Sequence, residues 1–337
     1  QDSIIRQNFS SSDGDNIIVG DTKYGMYNGA LYNITIGENT YLYSAENLYF
    51  TLNNDEIDVT GTTVDVYGAS GNDTITVDKY AVANTIYGNE GNDSITVAGT
   101  VNAICDDNKF DVNKIGGNDT IVVEETGDVS QIYGGYGNDK ITIYGNVKNT
   151  GCDGGNNEIN IYGKTDMIIG GNGKDTITVY ENGIVGIYGI FGMGGDDSIA
   201  VYGTVNSGIN GDSGNDTITV YGSANCISGG EGNDIINLYG TTNYIKSYTG
   251  TNIITTDVNS HCGYLLFEKN VGQDTLYLNA EKDILYFKEI DDLVYSWSND
   301  NKDVIISYNY GRHTVTIKDF DINNQTIYVT TDSANDG

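Results

Sequence analysis

Apolar and polar residues alternate along this chain with a period of two, and the alternation restarts about every 18 residues. Segments such as Ile218-Thr-Val220 and Ile236-Asn-Leu238 place an aliphatic side chain at every second position. Strict alternation over a few residues predicts a short β-strand with one buried face. Strands that restart at a fixed interval predict a solenoid, in which each coil buries its apolar face against the next coil.

Each of these strands follows a Gly-x-Asp/Asn-x-Ile motif, and we call its Asp or Asn the anchor. Successive anchors lie 20, 26, 20, 18, 18, 22, 19, 18 and 18 residues apart. Counted from the anchor, positions +2 and +4 are Ile and mostly Val, so they should point inward, whereas +1, +3 and +5 should point outward. The ten anchors are Asp73, Asp93, Asp119, Asp139, Asn157, Asp175, Asp197, Asp216, Asp234 and Asn252.

The repeat predicts an all-β fold, namely a right-handed parallel β-roll with about 18 residues per coil. We expect the roll to span residues 53–257, with an N-terminal β cap at 1–52 and a C-terminal β cap at 258–337. The caps would cover sheet edges that could otherwise template association. The 337 residues include no proline, which suits a continuous sheet because each missing N–H would remove a hydrogen bond between coils.

Charge excludes several classes of partner. Asp and Glu total 47 against 16 Lys and Arg, which gives a formal net charge of −31. So acidic a surface repels nucleic acid and anionic membranes. No apolar run approaches the ~20 residues that a membrane-spanning helix needs, so we expect no membrane insertion.

The same acidity predicts a metal. Stacked coils would place successive anchor carboxylates about 5 Å apart, where adjacent charges repel by about 3.5 kcal/mol at an effective dielectric of ~20. Carboxylate and glycine-carbonyl oxygens are hard ligands that suit Ca²⁺, so we expect several Ca²⁺ ions in one row along one edge of the roll. The alternative is a metal-free solenoid with Asn and Asp ladders. The predicted metal-site residues are Gly71, Asp73, Gly91, Asp93, Gly117, Asp119, Gly137, Asp139, Gly155, Asn157, Gly173, Asp175, Gly195, Asp197, Gly214, Asp216, Gly232 and Asp234.

The segment 229–237 reads Gly-Gly-x-Gly-x-Asp-x-Ile-x, and the segments 211–216 and 134–139 are close copies of its first part. This pattern resembles the nonapeptide of the RTX (repeats-in-toxin) family, and the resemblance covers residues 53 to about 257. It implies a calcium-bound parallel β-roll. Residues 258–330, with Asp292-Leu-Val294 and Val315-Thr-Ile-Lys-Asp-Phe320, resemble the C-terminal cap of RTX proteins. That likeness implies an extracellular or cell-surface protein exported by a type I system, with a signal near Ser333–Gly337.

The second half of each coil departs from the RTX pattern, because an aliphatic residue and a tyrosine replace the second glycine pair. This tyrosine recurs at position +5 and should form an outward column. The column either stiffens the sheet by aromatic stacking or offers an aromatic ribbon to a sugar or partner protein. Its members are Tyr144, Tyr162, Tyr180, Tyr202, Tyr221 and Tyr239.

No sequence motif for catalysis appears, and the aspartates recur with the coil, so we predict a non-enzyme. The first hypothesis is a secreted, calcium-rigidified structural or adhesive protein at a bacterial cell surface. The alternatives are a self-assembling subunit of an extracellular filament or surface layer, and a solenoid that binds glycan or modifies polysaccharide. An ice-binding face is not favoured, since Lys140 and Asn160 interrupt the outward threonine rows.

Overall fold

The computed structural model describes residues 53–105, 116–268, 272–279, 284–288, 290, 292–321 and 326–331 in full. It also describes the backbone of the strands at 15–19, 22–26, 31–36, 39–44, 47–49 and 282–283. Every regular element among these residues is a β-strand, so the predicted all-β class is confirmed. The described residues contain no helical segment with the length and hydropathy of a membrane span.

The chain divides into two compact units, residues 1–166 and 167–337. The first unit contains β1 (Asp15–Val19), β2 (Thr22–Met26), β3 (Leu31–Ile36), β4 (Asn39–Ser44), β5 (Asn47–Tyr49), β6 (Glu56–Val59), β7 (Thr62–Ser70), β8 (Thr74–Val77), β9 (Val82–Glu90), β10 (Ser94–Val97), β11 (Thr100–Cys105), β12 (Thr120–Val123), β13 (Asp128–Tyr133), β14 (Lys140–Ile143), β15 (Asn146–Gly151) and β16 (Glu158–Ile161). Strand β17 (Lys164–Asn172) spans the division.

The second unit contains β18 (Thr176–Val179), β19 (Ile184–Gly194), β20 (Ser198–Val201), β21 (Thr204–Ser213), β22 (Thr217–Val220), β23 (Ser223–Glu231), β24 (Ile235–Leu238), β25 (Thr241–Lys246), β26 (Ile253–Thr256), β27 (His261–Phe267), β28 (Gln273–Tyr277), β29 (Lys282–Phe287), β30 (Val294–Trp297), β31 (Val304–Tyr308), β32 (His313–Ile317) and β33 (Thr326–Thr331).

Two parallel ladders build each unit, as a solenoid requires. We call the short strands that follow the anchors the anchor sheet, and the strands that alternate with them the opposite sheet. In the first unit the anchor sheet runs β6-β8-β10-β12-β14-β16, and in the second it runs β18-β20-β22-β24-β26-β28. The opposite sheet pairs β7-β9-β11-β13-β15 and β19-β21-β23-β25-β27-β29. The predicted parallel β-solenoid is confirmed.

The core of each coil comes from the alternation. Anchor-sheet strands show inward residues at +2 and +4, and these are fully buried, as at Ile75 and Val77 or Ile218 and Val220. The isoleucines at +2 pair directly from coil to coil, for example Ile199 with Ile218. β-Branched side chains in register suit a pleated, buried face. The predicted assignment of the strand faces is therefore confirmed.

Coil length varies on both sides, and the longest extension lies between Cys105 and Asp119, before the anchor. The turn from the anchor sheet to the opposite sheet has two residues between β14 and β15 and between β22 and β23, but four between β8 and β9 and between β18 and β19. Strand β19 also carries a bulge between Val185 and Ile190, which leaves Ile187 and Tyr188 exposed. We call the side with the turn from the anchor sheet to the opposite sheet the far edge. The side that carries the anchors is the anchor edge.

Antiparallel strands occur near both termini. At the N-terminal side β1 pairs with β2 and β3 with β4, and at the C-terminal side β30, β31 and β32 form an antiparallel meander whose β32 is parallel to β28. Parallel pairing continues past residue 257 through β27, β28 and β29. Most of residues 1–52 and the proposed export signal at 333–337 lie outside the described residues. The cap boundaries and the right-handed sense therefore stay predictions.

Candidate metal site

The anchors lie at the start of the anchor-sheet strands with their side chains inside the coil. An anchor at position 0 has the same parity as the buried positions +2 and +4, so alternation turns its carboxylate inward. Asp73, Asp175 and Asp216 are at most 1% exposed. Carboxylates this deeply buried normally require a cation or a complete set of hydrogen bonds.

Glycine two residues before the anchor makes this loop possible. Gly71, Gly137 and Gly214 have φ of 128°, 127° and 134°, in the left-handed region that side chains rarely adopt. The loops also stack tightly, because a Cβ on Gly214 would collide with the carbonyl oxygen of Gly195 in the preceding coil. The sequence therefore needs glycine here for both conformation and close approach.

One oxygen of each anchor carboxylate is used by the neighbouring coil. The backbone N–H of Asp73 donates to Oδ1 of Asp93 at 2.7 Å, and the N–H of Asp197 donates to Oδ1 of Asp216 at 2.8 Å. The two asparagine anchors accept in the same way, since the N–H of Asp234 donates to Oδ1 of Asn252 at 2.9 Å. This ladder links the coils without a metal, and it leaves only the second oxygen, Oδ2, for a ligand.

The second carboxylate oxygen, Oδ2, is the atom that indicates cation binding. In Asp73, Asp197, Asp216 and Asp234 this oxygen is buried and accepts no hydrogen bond. A Cβ placed on Gly192 would collide with Oδ2 of Asp197 and lie 2.6 Å from the carbonyl oxygen of the glycine at 211. Two acceptor oxygens that approach one point in a buried space need a proton or a cation between them.

The glycine five residues before the anchor frames this space. A Cβ on Gly68, Gly211 or Gly229 would collide with Oδ2 of its own coil's anchor. The sequence contains these residues as the first glycine of the nonapeptide, but our predicted metal-site residues included only the glycine at −2. The signal that could have identified them is the recurrence of glycine five positions before most of the Asp anchors.

Burial also changes the acidity of the anchors. It raises the pKa of Asp73 and Asp197 to about 7 and that of Asp216 to about 6, although backbone hydrogen bonds act in the opposite direction. Repulsion from the next anchors in the column adds to the increase. A column of such groups is unfavourable when it is charged and metal-free, and a divalent cation removes that penalty.

A second ladder lies on the exposed side of the same loops. The residue before the anchor is usually Asn, and the N–H of Asn92 donates to Oδ1 of Asn72 at 2.7 Å. The N–H of Asn215 donates likewise to Oδ1 of Asp196, also at 2.7 Å. In the exposed ladder, the backbone N–H of each coil donates to a side-chain oxygen of the preceding coil. The buried ladder runs in the opposite direction, because each anchor Oδ1 accepts from the N–H of the preceding coil. The metal-free alternative correctly included such ladders, yet they leave Oδ2 of the anchors without a donor.

The donor set fits Ca²⁺. Within the described part of the chain, no three His, Cys, Asp or Glu side chains form a cluster, so each loop supplies one buried carboxylate oxygen. Further ligands would have to be backbone carbonyls such as those of Gly211 and Gly229. Ca²⁺ accepts six to eight oxygen ligands and includes backbone carbonyls readily. Zinc, which prefers nitrogen and sulfur, does not match this set.

Five of the six tyrosines at +5 form two stacks on the far edge, one in each unit of the chain. The ring centroids of Tyr144 and Tyr162 are 4.9 Å apart, and those of Tyr202, Tyr221 and Tyr239 are separated by 4.7 and 4.9 Å with nearly parallel planes. Because ring faces contact each other, the exposed parts of these side chains are edges and hydroxyl groups. Stacking thus explains the column, and ligand binding along it stays a prediction.

Comparison with known proteins decides the nature of the anchor edge. The model of the RTX calcium-binding nonapeptide repeat (HemolysinCabind) matches four copies, within residues 81–99, 162–179 and 209–236. The chain carries RTX calcium-binding repeats. The resemblance inferred from the sequence is confirmed, and Ca²⁺ is the ion of these repeats. RTX repeats are typical of secreted, extracellular proteins.

Solved structures resemble the RTX solenoid only distantly. A hyperactive, Ca²⁺-dependent, β-helical antifreeze protein from an Antarctic bacterium is 20% identical with a TM-score of 0.46, over 86% of this chain and 96% of that chain. The extracellular lipase LipA from Serratia marcescens is 14% identical with a TM-score of 0.21, over 82% of this chain and 42% of that chain. No curated protein sequence matches the chain.

Proposed function

We propose that this RTX solenoid is a secreted, non-catalytic structural or adhesive protein of a bacterial cell surface that folds and stiffens when Ca²⁺ binds. The main support for this proposal is that Oδ2 is buried and has no hydrogen-bond donor in Asp73, Asp197, Asp216 and Asp234. The oxygens that would hold each ion come from two coils, so they converge only in the stacked state. Binding energy is therefore folding energy.

The arrangement of the carboxylates supports a role without catalysis. Asp197, Asp216 and Asp234 repeat one environment, in which Oδ1 accepts from a backbone N–H and Oδ2 lies against the glycine at −5. A catalytic acid and base need two environments that separate their pKa values, and a uniform column does not provide them. Regular ion ligation accounts for the repetition.

The test compares the protein with and without calcium. We expect far-ultraviolet circular dichroism to show β-structure at millimolar Ca²⁺ and its loss with excess chelator, and we expect sedimentation velocity to show a compact particle that expands on chelation. Restoring Ca²⁺ should restore both signals, whereas Mg²⁺ at the same concentration serves as the control ion. A β-spectrum and sedimentation coefficient that chelation leaves unchanged would contradict the proposal.

A second candidate function, self-assembly, is favoured by the strand β30. Among the described strands it is the last of its meander, and its partner there is β31. All four of its residues are exposed, including Val294 at 63% and Trp297 at 44%. An apolar strand with one free edge is a template for pairing with another chain. This edge fits a subunit of a filament or surface layer.

Sedimentation at saturating Ca²⁺ separates the two candidates. Assembly through β30 predicts concentration-dependent large species that Val294→Lys abolishes, because a charged residue blocks edge pairing. Tyr188→Lys, on the exposed bulge of β19, is the matched control and should leave assembly intact. If the wild-type chain stays monomeric at high concentration, assembly is refuted and only the structural or adhesive role remains.

A further inference from the structure

Two coils differ from the others at two linked positions. Their anchors are Asn157 and Asn252, and the residues five positions earlier are Cys152 and Ser247 instead of glycine. Asp119 and Asp274 follow Lys114 and Lys269, which lie outside the described residues. All the other Asp anchors from Asp73 onward have glycine at −5, namely Gly68, Gly88, Gly134, Gly170, Gly192, Gly211 and Gly229.

At the C-terminal end of the row the exchange builds a hydrogen-bond relay. Nδ2 of Asn252 donates to Oγ of Ser247 at 3.2 Å, and this hydroxyl donates to Oδ2 of Asp274 at 2.7 Å. The backbone N–H of Asn252 donates to Oδ1 of Asp274 at 3.1 Å. Asp274, 1% exposed, therefore has a donor for each carboxylate oxygen.

The last Asp anchor before this relay, Asp234, lacks the second donor. Asp234 is equally buried, its Oδ1 accepts the N–H of Asp216 at 2.9 Å, and its Oδ2 has no donor. The coil before Asp234 has Gly211 at −5, whereas the coil before Asp274 has Ser247 at the corresponding position. A side chain at this position can therefore supply the donor that is missing elsewhere in the column.

Asparagine at the anchor also reverses the polarity of the site. Its Oδ1 is engaged, because the N–H of Asp234 donates to Asn252 and the N–H of Asp139 donates to Asn157, each at 2.9 Å. The remaining atom is the amide Nδ2, which is a donor and cannot ligate a cation. In the Asn157 coil, moreover, the sulfur of buried Cys152 lies 3.0 Å from the position of a Cβ on Gly134, where other coils present the carbonyl oxygen of the next glycine.

We propose that the calcium row is interrupted at the two asparagine coils, and that Ser247, Asn252 and Asp274 form a metal-free plug that ends it. The proposal rests on calcium binding at the Asp anchors, and it specifies which anchors bind no ion. The plug joins the ion-dependent coils to the C-terminal strands through hydrogen bonds that need no Ca²⁺. Asp274, although it continues the anchor column, is a structural acceptor and not a ligand.

Counting calcium tests this directly. Each variant is dialysed to equilibrium at saturating Ca²⁺, and bound ions per chain are measured by elemental analysis. Asp274→Asn should retain the wild-type count, because the Ser247 hydroxyl can accept as readily as it donates. Asp234→Asn, the matched control, should lose at least one ion. Loss of an ion in Asp274→Asn overturns the proposal.

Building a site provides the converse test. The double variant Ser247→Gly with Asn252→Asp recreates the pattern of the other coils and should bind one additional ion per chain. Thr241→Asp adds the same charge at an exposed position and should add none. An unchanged count in a double variant with wild-type circular dichroism overturns the proposal, and if the double variant does not fold, Asp274→Asn alone decides. Wild-type protein that binds no calcium would instead refute the proposed function.

Discussion

The two edges of the same coil differ in what they bury. Glycines stack within collision distance of neighbouring backbone at both edges, as at Gly214 and Gly222, but only the anchor edge buries a column of carboxylates. At the far edge the turn has two or four residues, and its tyrosines are partly exposed. The difference teaches that the anchor edge is constrained by an ion geometry shared between coils, whereas the far edge needs only backbone pairing and side-chain stacking.

The largest expected effect comes from pH in the absence of calcium, because it acts on several Asp anchors at once. The anchors of the fold have pKa values of about 7 for Asp73 and Asp197 and about 6 for Asp216, against 3.8 in an unfolded chain. Between pH 4 and 7 the folded state thus binds protons that the unfolded state does not, so the metal-free fold loses stability as pH rises through this window. Above this pH window the loss of stability of the metal-free fold no longer increases.

We therefore expect chelated protein to gain β-structure as the pH falls from 8 to 5. With Ca²⁺ present the dependence reverses, since protons compete with the ion for the same oxygens. Circular dichroism across this pH range, with and without chelator, measures both trends. Parallel trends in the two conditions would show that the anchors do not hold the ion.

Adding one methyl group at the anchor edge, and one elsewhere on the same strand, sharpens the comparison. On β21, Gly211→Ala places a Cβ against Oδ2 of Asp216 and the carbonyl oxygen of Gly229, whereas a Cβ at Gly208 has no neighbour nearer than 3.8 Å. Gly211→Ala should cost about 3 kcal/mol of unfolding free energy and lower calcium affinity. Gly208→Ala should change stability by less than about 0.5 kcal/mol. Urea unfolding at fixed Ca²⁺ gives both values, and equal losses would show that the anchor edge is no more constrained than the rest of the strand.

Neutralising one anchor should have effects of opposite sign with and without the ion. In calcium, Asp216→Asn removes a ligand oxygen and should destabilise the fold by on the order of 2 kcal/mol. In chelator the same change removes a buried carboxylate whose pKa is raised to about 6, and it should stabilise the fold by a similar amount. Urea midpoints in Ca²⁺, and the pH below which the chelated variant gains β-structure, test this reversal. A variant that is less stable in both would mean that the carboxylate acts through hydrogen bonds alone.

Much of the fold, and the kind of ion, could be predicted from the sequence, because both follow from local rules. Alternation identified the buried +2 and +4 positions, and the recurrent Gly-x-Asp placed the anchors on one edge. The use of each oxygen could not be predicted, since it depends on the register between coils. Only the stacked structure shows that Oδ1 of Asp216 accepts the N–H of Asp197, so that Oδ2 alone remains for a ligand.

The glycine at −5 and the Asn252 coil illustrate the same limit. The sequence displayed Gly211 and Gly229 within the nonapeptide, but nothing local connects them to Oδ2 of an anchor five residues later. Likewise the sequence alone does not reveal the partners of Asn252. Its partner Ser247 is five residues away, and its acceptor Asp274 lies one coil further. Side-chain contacts between coils need the coordinates.

A substitution at the far edge should weaken stacking without changing the number of bound calcium ions. Tyr221 lies between Tyr202 and Tyr239, with centroid distances of 4.7 and 4.9 Å. Tyr221→Ala should cost about 1 kcal/mol per lost ring contact while the number of bound ions stays the same. Urea unfolding combined with calcium titration checks both expectations. A fall in the ion count would show that the two edges are coupled.

The smallest expected effect is a gain in stability at the anchor edge. Four residues before the anchor the backbone is left-handed, and glycine occupies this position at Gly171 and Gly230, but Met193 holds it with φ of 80°. Met193→Gly relieves about 1–2 kcal/mol of strain and loses about half of that to the greater flexibility of the unfolded chain. We expect a net gain near 0.5–1 kcal/mol in urea unfolding. Ser213→Gly, an exposed position on β21 without a left-handed φ, should instead lose about 0.5 kcal/mol, so equal losses in both variants would contradict a strained anchor edge.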